Sequence, residues 1–158
     1  VHAMQSTAPT REPGTPFHLL DRDSPIVVVE DNEDDSQAIQ RAIQKSGNTN
    51  PIVAFDDGES ATSMFRDDSD APPPAAIFLD LRLPGMQGDE VLRECRRTGR
   101  TRRTPVIVLS GSSDPADRDA SYDGCITGYL VKPRRIAELD SAVAKTLDFL
   151  VECSPPTN

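Results

Sequence analysis

Two neighbouring acids, Glu30 and Asp31, follow directly on the apolar, β-branched run at 26–29. A third acid, Asp80, closes another such run, and Ser110 and Lys132 each close a further one. If these run ends meet in space, three carboxylates crowd one small site, where like charges disfavour ionisation. A hard divalent cation relieves the crowding: Mg²⁺ takes one or two carboxylates, keeps several waters and accepts phosphate oxygens. Asp31 and Asp80 suit direct coordination and Glu30 coordination through a water. A carboxylate is also a nucleophile able to form an aspartyl phosphate, and phosphoryl transfer rests chiefly on positioning and charge neutralisation. Asp80 then reads as the attacking group, Lys132 as the cation facing the transferred group, and the Ser110 hydroxyl as a donor to one of its oxygens. Gly111, beside Ser110, leaves such a pocket sterically open.

Elements able to bring these residues together are visible in the pattern. Apolar runs occupy 26–29, 51–55, 75–79, 105–109 and 129–131. They are continuous rather than alternating, which marks strands buried on both faces. Helical patterns separate them. Ile39, Ala42 and Ile43 share one face of a helix expected over 34–46 and stopped by Gly47. Further helices are expected over 59–65, 89–97, 114–122 and 135–151. In the last of these, Ile136, Leu139, Val143, Leu147 and Leu150 form the core stripe. Five strand–helix repeats predict a parallel sheet with helices on both faces. In such a sheet, ligands bind beyond the carboxyl ends of the strands, where the chemistry-bearing residues fall.

Residues 1–24, polar and Pro-rich apart from Phe17, Leu19 and Leu20, are expected to form a flexible tail, disordered or loosely docked. Residues 25–151 form one domain, and 152–158, containing Pro155 and Pro156, a short tail. The 158 residues carry a net charge of −9, the wrong sign for neutralising DNA phosphates. No signal-peptide pattern precedes residue 25 and nowhere do 18 apolar residues run together, so the expectation is a cytoplasmic protein without a membrane span. Cys95, Cys125 and Cys153 lack a zinc-like spacing and a context that activates a thiol. The basic stretch from Arg93 to Arg103 is expected to be a solvated helix end, complementing the helix dipole. Glu33, Asp34 and Asp35 are expected as the solvated acidic start of a helix.

Four motifs stand in fixed order: VVVEDN at 27–32, IFLDLRLPGMQG at 77–88, VIVLSG at 106–111 and GYLVKP at 128–133. Their order, with steps of 30 residues from Asp80 to Ser110 and 22 from Ser110 to Lys132, resembles the receiver domain of bacterial response regulators over residues 25–150. The resemblance implies a doubly wound, five-stranded parallel α/β sheet in the order 2-1-3-4-5 with five helices. It implies Asp80 as phosphoacceptor, and Glu30, Asp31, Asp80 and the Arg82 backbone carbonyl around Mg²⁺. Ser110 becomes the switch hydroxyl, Tyr129 the switch aromatic and Lys132 the phosphate-facing lysine. The Lys132–Pro133 bond is expected to be cis, a geometry open to X–Pro bonds at modest cost.

A sensor histidine kinase is the implied phosphoryl donor, and the face of the fourth helix, fifth strand and fifth helix the implied output. The alternative is a phosphorelay intermediate that passes the group on to a histidine phosphotransfer protein. The long last helix and the VVVEDN motif resemble single-domain regulators paired with bacterial phytochromes. That resemblance implies a bacteriophytochrome kinase, and a homodimer through the output face or the end of the last helix, where Phe149 and Val151 add apolar surface. Arg82 is bulkier and more charged than is usual for the family, and is expected to gate the pocket or meet a partner. A haloacid-dehalogenase-type phosphatase would need a second Asp where Arg82 stands. A flavodoxin-like carrier would need a phosphate-binding loop where EDNEDD would repel one.

Overall fold

Each of the five apolar runs becomes a strand. A computed structural model of the chain describes residue 12 and residues 15–153. The strands are β1 (Ile26–Val29), β2 (Ile52–Phe55), β3 (Ala76–Leu79), β4 (Val106–Ser110) and β5 (Gly128–Val131). They alternate with α1 (Glu33–Lys45), α2 (Gly58–Phe65), α3 (Gly88–Arg97), α4 (Pro115–Asp123) and α5 (Ile136–Cys153). All pairings are parallel and the order is β2-β1-β3-β4-β5, the doubly wound arrangement expected.

The continuous apolar runs have a direct cause. Successive strand side chains point to opposite faces, and both faces of the three central strands are covered. Ile26, Val28, Phe78, Ile107 and Leu109 join Ile39 and Ile43 of α1 and Val143 and Leu147 of α5 in one core. Val27, Val29, Ile77, Leu79 and Val108 join Phe65 of α2 and Val91, Leu92 and Cys95 of α3 in the other. Burying each large aliphatic side chain contributes about 1.5–3 kcal/mol, so a polar residue in the middle of β1, β3 or β4 would be costly. The polar residues are held back to the strand ends.

Helix starts lie at those same ends. Asn32 caps α1, accepting from the Asp35 amide at 2.9 Å, and Asp57 caps α2 through the Ser60 amide at 2.7 Å. At the start of α3, a Cβ on Gly88 would stand 2.4 Å from the Asp80 carbonyl oxygen and 2.5 Å from the Leu81 Cα. Only glycine lets α3 pack this close to the end of β3, and the Gly88 amide donates to the Leu81 carbonyl at 3.0 Å. Helix α4 is the outlier, since Ser121 is its one buried residue.

The structure departs from the sequence expectations in three places. Residues 134–138 are all exposed, so α5 docks only from Leu139 onward and Ile136, expected in its core stripe, is 65% exposed. The part of the N-terminal segment nearest β1 is docked rather than loose. Phe17 bridges to Asn48, Leu19 is buried, and the Asn50 side chain donates to the carbonyls of Leu19, Asp21 and Ser24 while accepting from the Leu19 amide. The remainder of the expected N-terminal tail, and residues 154–158 of the C-terminal one, lie outside the described residues. The Lys132–Pro133 bond, expected to be cis, is trans, since no cis peptide occurs among the described residues. Trans is the form an X–Pro bond prefers, and in it the Lys132 side chain still reaches across the strand ends.

Candidate functional site

The site forms where β1, β3, β4 and β5 end. The β1–β3 register places Val29 beside Leu79, so Glu30 and Asp80 leave the sheet side by side, each nearly fully buried. Asp31 is exposed. One oxygen from each of Glu30, Asp31 and Asp80 lies within 4.8 Å of the others. Three hard oxygen donors in such a cluster match the preference of Mg²⁺ for carboxylates and water over nitrogen or sulfur. The residues therefore fit the ion that the carboxylate spacing implied.

Lys132, just past β5, reaches into this cluster. Its amide donates to the Ser110 carbonyl at 2.7 Å, which fixes its backbone against the end of β4. Its Nζ lies 2.5 Å from Glu30 Oε2, 3.0 Å from Asp80 Oδ2 and 3.0 Å from Asp35 Oδ2, so three acceptors occupy the three N–H donors of the ammonium. Burial acts to lower the lysine pKa, but the hydrogen bonds to Glu30, Asp80 and Asp35 outweigh it and push it above the ordinary lysine value. Glu30 is pushed up to about 7, first by burial and then by the Asp80 charge, against the opposing hydrogen bonds from Lys132 and the Asn32 amide. The second oxygen of Asp80, Oδ1, accepts from the Arg82 amide at 3.1 Å. Both carboxylate oxygens of Asp80 are thus oriented before any ligand arrives.

Ser110 is completely buried at the end of β4, and its Oγ accepts from the Ser112 amide at 3.3 Å. Beside it, a Cβ on Gly111 would meet nothing within 4 Å. The loop continues as a chain of contacts: Ser112 Oγ donates to Asp117 Oδ2 at 2.5 Å, and the Tyr129 hydroxyl donates to the Ser112 carbonyl at 3.0 Å. The Tyr129 ring lies under the Arg118 guanidinium, 5.6 Å from its centroid. The exposed Arg82 guanidinium stands 3.8 Å from Asp117. Tyr129 therefore ties the loop after Ser110 to β5, while Arg82 spans the mouth of the site towards α4.

Two features escaped the sequence reading. Asp35, expected as a solvated helix-start residue, is a ligand of Lys132. Its place in the first turn of α1, the helix that follows directly on the Glu30–Asp31 pair, was the signal available. The basic stretch is not simply solvated either. Arg96 donates to the carbonyls of Thr101, Arg102, Thr104 and Cys125. Arg100 donates to those of Asp67, Ala71 and Pro72. Nothing in the sequence distinguishes these two from Arg93, which pairs at 3.6 Å with Asp89 on the exposed face of α3.

Comparison with known proteins agrees with this geometry. A family model described as the response regulator receiver domain matches residues 26–144. The chain is 32% identical over 135 residues to the probable methanogenesis regulatory protein FilR2 of Methanothrix harundinacea, covering 83% of this chain and 87% of that protein. It is 32% identical over 130 residues to the response regulator Rcp1 of Synechocystis, covering 80% and 88%. The structure of the phosphorylated cyanobacterial phytochrome response regulator RcpA is similar with a TM-score of 0.77 at 32% identity, over 85% of this chain and 99% of that one. The Mn²⁺-bound form of Rcp1 gives 0.74 at 30% identity, over 85% and 99%.

Proposed function

The chain belongs to the response regulator receiver domain family, and from that premise we propose that it is a phosphorylation switch which accepts a phosphoryl group on Asp80 from a sensor histidine kinase. The observation carrying this reading is Lys132 Nζ, 3.0 Å from Asp80 and 2.5 Å from Glu30, inside an acidic cluster sized for one divalent ion. Asp31 and Asp80 would hold Mg²⁺ directly, Glu30 through water, and the Arg82 backbone carbonyl would add a ligand. When bound, Mg²⁺ supplies positive charge that offsets the crowded carboxylates and the phosphoryl oxygens.

The protein's own groups do the rest. An Asp80 carboxylate oxygen attacks phosphorus, a new P–O bond forms, and the P–N bond of the donor phosphohistidine breaks. The imidazole leaves with the electron pair. The Arg82 amide keeps the carboxylate aimed, Lys132 neutralises charge on the transferred oxygens, and the Ser110 hydroxyl turns from the Ser112 amide to donate to one of them. Positioning and preorganised charge are the main sources of rate in such a transfer. The open space over Gly111 admits the donor.

The output follows from where the acyl phosphate pulls. Drawing Ser110 inward disturbs Ser112, and with it the Asp117 and Tyr129 contacts. Helix α4, which buries only Ser121, has little packing to resist the change. The face of α4, β5 and α5 would carry the signal to a partner protein in the cytoplasm. Among the described residues, no helix is long and apolar enough to cross a membrane. Likeness to the cyanobacterial phytochrome response regulator RcpA supports a kinase of the phytochrome type. Exposed Phe149 and Val131 supply apolar surface for a homodimer through the output face or the end of α5. The reading is tested by labelling with acetyl phosphate: Mg²⁺-dependent incorporation is expected, and none in Asp80→Asn. Undiminished labelling of that variant would refute it.

A further inference from the structure

We infer that Asp35 is a positioning residue that holds the Lys132 ammonium over the phosphoacceptor, an inference that rests on the phosphoacceptor reading of Asp80. Of the three carboxylates on Lys132, Glu30 and Asp80 also belong to the cluster able to hold a divalent ion, whereas Asp35 does not. Any ion that draws on Glu30 and Asp80 therefore competes with Lys132 for them. Asp35, at 3.0 Å, is the partner left to the lysine.

The placement suits an anchor. Asp35 stands on the first turn of α1, which is fixed by the Asn32 cap bonded to the Asp35 amide itself. Its side chain is 49% exposed and that of Lys132 19%. The pair therefore sits at the rim, with Asp35 on the solvent side and Asp80 on the buried side. A lysine side chain is long and flexible, and its ammonium is a compact charge with rotatable donors. Tethered from the rim, it does not have to be ordered at the moment of transfer, and preorganisation of this kind shows in the rate of the chemical step.

The test uses the full chain, acetyl phosphate and Mg²⁺. An Asp80 oxygen attacks phosphorus, the bond from phosphorus to the acetate oxygen breaks, and acetate leaves with the electron pair. In Asp35→Asn the maximal labelling rate at saturating Mg²⁺ should fall roughly tenfold, equivalent to about 1.4 kcal/mol of barrier. The Mg²⁺ half-saturation should move by less than about twofold, as expected for a half-exposed charge outside the ion's ligand set. Asp35→Glu, which keeps the carboxylate, should recover most of the rate. The inference is overturned if Asp35→Asn labels at the wild-type maximal rate or faster, or if the whole effect lies in the Mg²⁺ half-saturation. Failure of the wild type itself to label would overturn the phosphoacceptor reading along with it.

Discussion

The two ends of the sheet hold their cations in opposite ways. At the carboxyl end, Lys132 is held by the side-chain carboxyl groups of Glu30, Asp35 and Asp80. At the amino end, Arg96 and Arg100 are held by seven neutral backbone carbonyls from the loops that lead into β3, β4 and β5. Carboxylates on side chains can be reassigned to a metal ion or a phosphoryl group while the backbone stays in place. Carbonyls cannot be reassigned without moving the loops. One end is built to exchange partners and the other to keep them. The electrostatics agree: burial, and after it the Asp80 charge, pushes Glu30 up to about 7, whereas the arginines meet only dipoles.

The widest separation between the ends should come from Lys132→Met. Removing a preorganised charge from a transferring group typically costs a factor on the order of 10²–10³ in rate, so acetyl phosphate labelling should fall by about that much. Mg²⁺ binding measured by calorimetry should persist, because Glu30 and Asp80 no longer share their oxygens with an ammonium. Wild-type labelling in this variant would remove the functional half of the comparison.

Arg96→Ala probes the other end. It strands several carbonyls that had a charged donor, and hydrogen bonds to charged groups contribute about 1.5–3 kcal/mol each when buried. Because Arg96 is only half-buried, a total loss of about 2–3 kcal/mol is expected in urea unfolding, with the maximal labelling rate of the folded protein within about twofold of wild type. Loss of labelling without loss of stability would mean that the two ends are not separable in this way.

The part of this contrast that the sequence carried follows from distance. The sheet was legible because every buried strand is a continuous apolar run, a local property of four or five residues. Glu30, Asp31, Asp80 and Lys132 were legible because each stands at the end of such a run, so the topology decides that they meet. Asp35 was not, since it ends no apolar run and an acid in a first helical turn already has a sufficient local reason to be there. Arg96 and Arg100 were hidden likewise: a guanidinium that binds carbonyls leaves no complementary residue type in the sequence. The exposure of Ile136 depends on where α5 first touches the sheet, which its periodicity does not encode.

A smaller effect sharpens the carboxyl end further. Glu30 keeps its proton up to about pH 7 in the fold, against an ordinary value of 4.5. Between those pH values the folded chain binds more protons than the unfolded one, so the contribution of Glu30 to stability falls as pH rises through that window. Mg²⁺ opposes the same proton, because ligand carboxylates must ionise. The Mg²⁺ half-saturation concentration should therefore rise roughly tenfold from pH 8 to pH 6. Calorimetry in buffers of different ionisation enthalpy should show proton release near pH 7 and almost none near pH 9. Mg²⁺ binding without proton release near pH 7 would show that Glu30 is already ionised in the fold.

The smallest effect is expected from Asn50→Ala, also at the amino end. Asn50 clamps the segment before β1 by donating to the carbonyls of Leu19, Asp21 and Ser24 and accepting from the Leu19 amide. Several neutral hydrogen bonds at about 1 kcal/mol each suggest a large loss, but the segment has an escape that the loops around Arg96 lack. It can peel away locally, returning its backbone groups to water, and what opposes this is the burial of Leu19, the partial cover of Phe17 and the hydrogen bonds of Phe17 to Gly47 and Thr49. Global unfolding should therefore shift by only about 1 kcal/mol, while the Leu19 amide loses its hydrogen-exchange protection and those of β1 and β3 keep theirs. A global loss as large as that of Arg96→Ala would show that the segment is integral to the domain, and that its boundary lies ahead of Phe17 rather than at β1.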